Sequence, residues 1–234
     1  EYTRVLDAID AEKLDANISV KLTAFGLDVG EDFCLEQLSR VLAHARAHGN
    51  FVRIDMEDHT RTDATLRIYQ QARREFDNVG VVLQAMLFRT EDDIELLEGD
   101  GYKRSGGNAR LCKGIYKEPE EIAHTTFDAI REAFVRCLDK LFARGCYVGI
   151  ATHDEYLIDA AYQAIARYQL APEQYEFQML LGVTPKLRAS VIERGHRLRV
   201  YVPYGEDWYA YSLRRLRENP TVARHVMRAF FKRG

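Results

Sequence analysis

Two rhythms of apolar residues alternate along the chain. Short runs rich in aliphatic and β-branched residues are separated by longer stretches whose apolar positions recur every three to four residues. The short runs predict strands at Asn17–Leu22 (NISVKL), Phe51–Asp55 (FVRID), Val79–Met86 (VGVVLQAM), Ala109–Lys113 (ARLCK), Tyr147–Ala151 (YVGIA), Tyr175–Leu180 (YEFQML) and Leu198–Val202. Val79–Met86 is apolar throughout except for Gln84, the pattern of a strand buried on both faces. The longer rhythm predicts helices over Glu1–Leu14, Glu31–His48, Thr62–Phe76, Pro119–Ala143 and Tyr156–Tyr168. A short helix opens at Thr90 with Asp93 in the capping-box position, and another begins at Pro185 behind a Thr184 cap and stops at Gly195. A helix over Asp207–Asn219 ends at Pro220, and an amphipathic segment covers Val222–Phe231. Gly99–Asn108 is loop.

Strict strand–helix alternation predicts an α/β protein with a parallel sheet and right-handed crossovers. Polar residues stand at or near the carboxyl ends of the strands: Lys21, Asp55, Gln84, Lys113, His153 and Gln178. A (β/α)8 barrel builds its active site along that rim, whereas a doubly wound open sheet binds at one switch point. The expectation is therefore a single distorted barrel domain over residues 1–234, N-terminally incomplete, because only seven strands are legible and the chain opens inside a helix. A seven-stranded barrel would be left with exposed edges.

Composition narrows the class. At 47% apolar and 29% charged residues, with a net charge of −3, the chain reads as a globular protein with no electrostatic case for nucleic acid. Cys34, Cys112, Cys137 and Cys146 form no CxxC pair and read as reduced, mostly buried thiols of an intracellular protein. No apolar run is long enough to cross a bilayer, and the charged helical start does not resemble a signal peptide. No GxGxxG, P-loop or GxSxG pattern occurs. His44 and His48 stand four apart in HARAH without the acidic neighbour of a zincin, so they read as a solvated helix face and no metal is predicted.

Cations carry the chemistry. In YSLRRLREN, Tyr211, Arg214, Arg215 and Glu218 fall at i, i+3, i+4 and i+7 and share a helix face, which allows a bidentate grip on a carboxylate or an ordinary solvated face. Lys21, Arg110 and Lys113 add further positive charge near the strand ends, offset by Asp55, Glu57 and Glu218. Buried cations need anionic partners, so the balance points to a phosphate-bearing cofactor together with a carboxylate substrate. Tyr116, Tyr201 and Tyr211 wall an apolar pocket or simply pack.

VKLT (20–23), RIDMED (53–58), VVLQAM (81–86), RLCKGIY (110–116), ATHD (151–154), YEFQMLLG (175–182) and VYVPYG with YSLRRLREN (within 200–219) occur in order and together resemble the proline dehydrogenase family. The resemblance covers nearly the whole chain, with Cys112 where the family has an aliphatic residue. It implies a distorted barrel that binds FAD and oxidises L-proline to 1-pyrroline-5-carboxylate, the last helix covering the barrel mouth. It further implies that Lys21, Arg214 and Arg215 hold the substrate carboxylate, that Glu218 orients the arginines, and that Tyr201 and Tyr211 pack near the proline ring. Asp55 is implied as an aspartate required for activity and Arg110 as the arginine beside the flavin N5. Flavin contacts are implied for Met56, Gln84, Arg110, Lys113, Gly114, Ile115, Thr152 and His153. A quinone acceptor, and with it a cytoplasmic protein touching the inner membrane peripherally, completes the implication; oligomeric state stays open. A hydroxyproline dehydrogenase and a non-catalytic small-molecule-binding barrel are the alternatives.

Overall fold

A computed structural model describes residues 1–97 and 107–204. The predicted helix over 207–219, the segment 222–231 and residues 99–106 of the predicted loop Gly99–Asn108 lie outside the described residues, and so do Tyr211, Arg214, Arg215 and Glu218; Asn108 itself opens a strand. The chain forms two compact units, Glu1–Val148 and Gly149–Gly234.

The first unit contains α1 (Tyr2–Ala11), β1 (Ile18–Lys21), α2 (Glu31–Ala47), β2 (Val52–Asp55), α3 (His59–Arg73), β3 (Val79–Gln84), α4 (Thr90–Asp93), β4 (Asn108–Cys112) and α5 (Phe127–Ala143). The division falls within β5 (Tyr147–Ala151), and the second unit continues with α6 (Glu155–Arg167), β6 (Tyr175–Leu180), α7 (Pro185–Glu193) and β7 (Leu198–Tyr201). Strand order follows chain order from β1 to β7, and the registered pairs β1–β2, β2–β3, β3–β4 and β6–β7 are all parallel. The expected parallel α/β fold of the barrel class is thus met, with seven strands among the described residues.

Register sorts the side chains. Because alternate residues point to opposite faces, in-register neighbours on parallel strands share a face. On the first unit's sheet one face carries Ile18, Val20, Val52, Ile54, Val79, Val81, Leu83, Ala109 and Leu111, all of them buried. Against this sheet pack α1, α3 and α5. The opposite face carries Ser19, Lys21, Arg53, Asp55, Gly80, Val82, Gln84, Asn108, Arg110 and Cys112. Strand β3 is buried on both faces, as expected, its second face carrying Gly80, Val82 and Gln84.

Three local expectations change. Helix α5 begins at Phe127 and not at Pro119, because the preceding backbone is hydrogen-bonded elsewhere: Phe88 N–H donates to Ile122 O and His124 N–H to Met86 O. Thr126 caps α5 by accepting from Ala129 N–H at 3.4 Å. Thr90 does not cap α4; its hydroxyl turns back to donate to Gln84 O, and Asp93 pairs with Arg89 at 2.8 Å. Thr184 sits in the left-handed region (φ 41°) and makes no side-chain cap, so Pro185 alone sets the start of α7.

None of the four cysteines forms a disulfide, and three of them are buried. Burial pushes the Cys34 thiol up to about 11 and Cys137 up to about 12, which leaves both protonated and inert at neutral pH. No helix among the described residues is long and apolar enough to cross a membrane.

Candidate active site

The polar face of the first unit is organised in two tiers. Nearer the amino ends, Arg53 leaves β2, passes over Gly80 on β3 and donates to Val81 O (3.2 Å) and Asn108 O (2.8 Å). A Cβ at Gly80 would lie 2.6 Å from Asn108 O and collide with the Arg53 guanidinium, so glycine is what lets the arginine cross. This arginine is only 3% exposed, and a buried guanidinium needs such a set of acceptors.

The second tier lies toward the carboxyl ends. Arg110 on β4 donates from Nη1 to Asp55 Oδ1 at 2.7 Å and from Nη2 to Ser19 Oγ at 3.0 Å. One guanidinium thereby joins β4 to β2 and β1, with both partners of the ion pair largely buried. Lys21 is in register with Asp55 on the adjacent strand, and its ammonium makes no hydrogen bond or ion pair among the described residues. A half-buried lysine beside an already satisfied carboxylate–guanidinium pair has the chemistry to attract an external anion.

Beyond the strand ends the loops interlock. Glu57 accepts from Thr23 N–H (3.1 Å) and Thr23 Oγ1 (2.9 Å), while Gln84 Nε2 donates to Glu57 O at 2.9 Å. Gln84 is 3% exposed, and its Oε1 has no hydrogen-bond partner among the described residues, so it presents an open acceptor. Met56 is buried next to Asp55. Tyr2 stacks on Phe25 at 5.0 Å, and burial first, then the nearby carboxylates, raise its phenol above the ordinary range.

After β4 the chain turns at Gly114 with φ +105°, where an added Cβ would come within 2.5 Å of Met86 Cγ. Met86 N–H donates to Lys113 O at 2.8 Å, which ties this turn to the end of β3. Lys113 sends its ammonium over the Phe127 ring at 4.5 Å. Ile115 is 38% exposed, and Tyr116 packs on the Met86, Leu87 and Ala123 cluster, so this tyrosine is a packing residue.

The second unit has its own buried polar set. Glu176, 2% exposed, accepts from Arg199 Nε at 2.9 and 3.0 Å and from Gln178 Nε2 at 2.6 Å. Gly149 leaves room for Gln178, whose Nε2 would meet an added Cβ at 2.5 Å. His153 Nε2 accepts from Leu180 N–H at 2.9 Å, which places the proton of the neutral ring on Nδ1. Thr152 is buried; its Oγ1 accepts from Asp154 N–H at 3.1 Å, and its hydroxyl proton has no acceptor among the described residues. Tyr201 closes β7, in register with Leu180.

Of the residues expected from the sequence, the structure brings together Lys21, Asp55, Arg110, Met56, Gln84 and the Lys113–Ile115 turn in the first unit, and holds Thr152, His153 and Tyr201 in the second. Gln178 is a mid-strand partner of Glu176 and not a rim residue. Ser19, Arg53, Glu176 and Arg199 escaped the sequence reading. The signal that finds them is the strict period of two from residues singled out on the strands: Lys21 back to Ser19, Asp55 back to Arg53, Gln178 back to Glu176 and Tyr201 back to Arg199.

A family model described as proline dehydrogenase matches residues 1–228. Proline dehydrogenase 2 of Bacillus subtilis (strain 168) is 38% identical over 221 residues, 94% of this chain and 71% of that protein. Proline dehydrogenase of Deinococcus radiodurans is 35% identical over 237 residues, 99% of this chain and 75% of that protein. The crystal structure of proline utilization A (PutA) from Bdellovibrio bacteriovorus is similar with a TM-score of 0.83 at 25% identity, over 92% of this chain. This chain spans 27% of the length of that solved chain.

Proposed function

This chain belongs to the proline dehydrogenase family, and from that premise we propose that it oxidises L-proline to 1-pyrroline-5-carboxylate with FAD as cofactor and a quinone as terminal acceptor. The observation that carries the reading is the tier Lys21–Asp55–Arg110, an anion-seeking ammonium in register with a carboxylate that is itself satisfied by a buried guanidinium. Lys21 takes the substrate carboxylate, with Arg214 and Arg215 as its partners by family resemblance. By the same resemblance Tyr201 and Tyr211 line the ring, and Glu218 orients the arginines.

The residues of the first unit fit a flavin. Gln84 offers a buried acceptor suited to a ring N–H, and the Gly114 turn lets backbone approach where a side chain would collide. Lys113, Gly114, Ile115 and Met56 would hold the cofactor, and the family resemblance alone adds Thr152 and His153 of the second unit to that set. When bound, FAD supplies the hydride acceptor for proline C5. Arg110, held by Asp55 and Ser19, supplies fixed positive charge that favours the electron-rich reduced ring. Clamping the carboxylate fixes the reacting carbon, which removes the orientational part of the barrier. The amine proton must leave before oxidation, and Lys21 and Asp55 are the groups placed to tune its loss.

A visible spectrum before and after anaerobic addition of proline tests this directly. The purified chain is expected to carry a flavin absorbance band that bleaches with proline. A colourless protein that takes up no FAD, or a flavin band indifferent to proline, would overturn the assignment.

A further inference from the structure

Outside the active-site face, α1 and α2 bring two histidines and two aspartates together on the surface of the first unit. His44 and His48 stand one turn apart on α2, with ring centroids 4.9 Å apart. Asp7 on α1 reaches both: its Oδ1 lies 2.7 Å from His44 Nε2 and 3.3 Å from His48 Nε2. The ligand atoms of these three residues all lie within 4.8 Å of one another. Asp10, one turn along α1, accepts on Oδ2 from His48 Nδ1 at 3.1 Å, and its Oδ1 is paired with Lys13 at 2.9 Å.

We propose that Asp7, His44 and His48 form a binding site for a divalent transition ion of the zinc class, with water completing the coordination and Asp10 orienting His48. Two imidazoles and one carboxylate suit zinc and its neighbours, whereas calcium and magnesium want oxygen ligands in greater number. Tetrahedral coordination at a Zn–N distance of about 2.0–2.1 Å sets ligands roughly 3.3 Å apart. The His48–Asp7 separation already has that value. The His44–Asp7 pair, at 2.7 Å, opens by a small side-chain rotation as the shared proton leaves and the ion takes its place. Asp10 supplies the carboxylate-to-imidazole hydrogen bond that fixes Nδ1–H on His48 and turns Nε2 toward the ion. All four side chains keep solvent access, so the ion has an entry path. The bound ion would clip α1 to α2, and α1 is the helix whose Tyr2 stacks on Phe25 just beyond Lys21.

The test is isothermal titration of the full, metal-stripped chain with Zn²⁺ at mildly alkaline pH, beside His44→Ala/His48→Ala and Asp10→Asn, with folding checked by circular dichroism. Wild type is expected to bind one equivalent that the double variant lacks, and Asp10→Asn to weaken it about tenfold to a hundredfold. Zinc should raise Tm by a few degrees in wild type and not in the double variant, roughly as mass action requires. Co²⁺ bound at the site should show ligand-field bands without thiolate charge transfer. Equal zinc binding by wild type and double variant, a cobalt–thiolate band, or no binding at millimolar zinc would each overturn the proposal.

Discussion

Arg110 on β4 hydrogen-bonds Asp55 on β2 across 2.7 Å, passing over the intervening strand β3. With Ser19 as its second partner, the guanidinium spans four strands of the first unit's sheet. Both ends of the pair are largely buried, so each depends on the other for solvation. Asp55→Asn keeps a hydrogen-bond acceptor but removes the charge that balances Arg110. Proline turnover is expected to fall roughly tenfold to a thousandfold, with Arg110→Gln similar in size. The double variant should lose less than the two single losses combined, with a coupling of about 1–3 kcal/mol. Steady-state kcat/KM for the four proteins measures it, and simple additivity would show that the pair does not act as a unit.

Gly114 is strained for any other residue because of its φ of +105°, and its missing Cβ is also where Met86 sits. Gly114→Ala is expected to cost roughly 1–3 kcal/mol of stability and to lower flavin occupancy. Gly145 is the matched comparison: φ is +68°, and nothing lies within 4 Å of the added Cβ. Gly145→Ala should therefore cost only conformational strain, about 1 kcal/mol, and leave flavin content unchanged. Thermal melts and the ratio of flavin to protein absorbance distinguish the two. Equal flavin loss in both variants would remove the turn from the cofactor site.

Lys21 separates substrate binding from cofactor binding. Its ammonium has no partner among the described residues, so Lys21→Met removes an interaction with substrate and breaks none within the described protein. KM for proline is expected to rise about tenfold to a hundredfold, the worth of a charge-assisted hydrogen bond, with bound FAD retained. Arg214→Met should behave in the same way. An unchanged KM in either variant would sink that residue's role in holding the carboxylate.

What the sequence made legible follows from periodicity. Strands β5 and β6 were bounded at both ends as the structure has them, and β1, β2, β4 and β7 to within a residue at either end, because turn residues and helices flank short β-rich runs. The face of each strand was harder. Arg53 and Glu176 are buried charges in runs that look like core, and nothing local announces that Gly80 clears a path for one or that Arg199 satisfies the other. Long-range backbone pairing likewise displaced the start of α5: the bridge between Leu87 and Ala123 claims residues that a helical pattern would have used. His44 and His48 looked like a solvated face because their acidic partners, Asp7 and Asp10, arrive from another helix. In each case the deciding contact joins residues far apart in the chain.

His196 gives the second unit a pH dependence of known sign. Its Nδ1 is 2.7 Å from Tyr175 Oη, and its ring stacks on Tyr162 at 4.8 Å and meets Phe177 edge-on at 5.3 Å. Burial first, and the Arg194 charge second, hold the imidazole below its ordinary value of 6.5. Neutral Nδ1 can accept from the tyrosine hydroxyl; the imidazolium would present a donor there instead. Above the unfolded value both states are neutral, and the full stability is present. As pH falls below it the unfolded chain takes up the proton first, so stability declines until the folded value is passed. Tm is therefore expected to fall between about pH 7 and pH 5, before most carboxylates titrate. His196→Phe keeps the ring packing without the titration, and its Tm should be flatter over the same interval. Melts of the two proteins across that window decide the matter, and parallel curves would assign the acid sensitivity to another group.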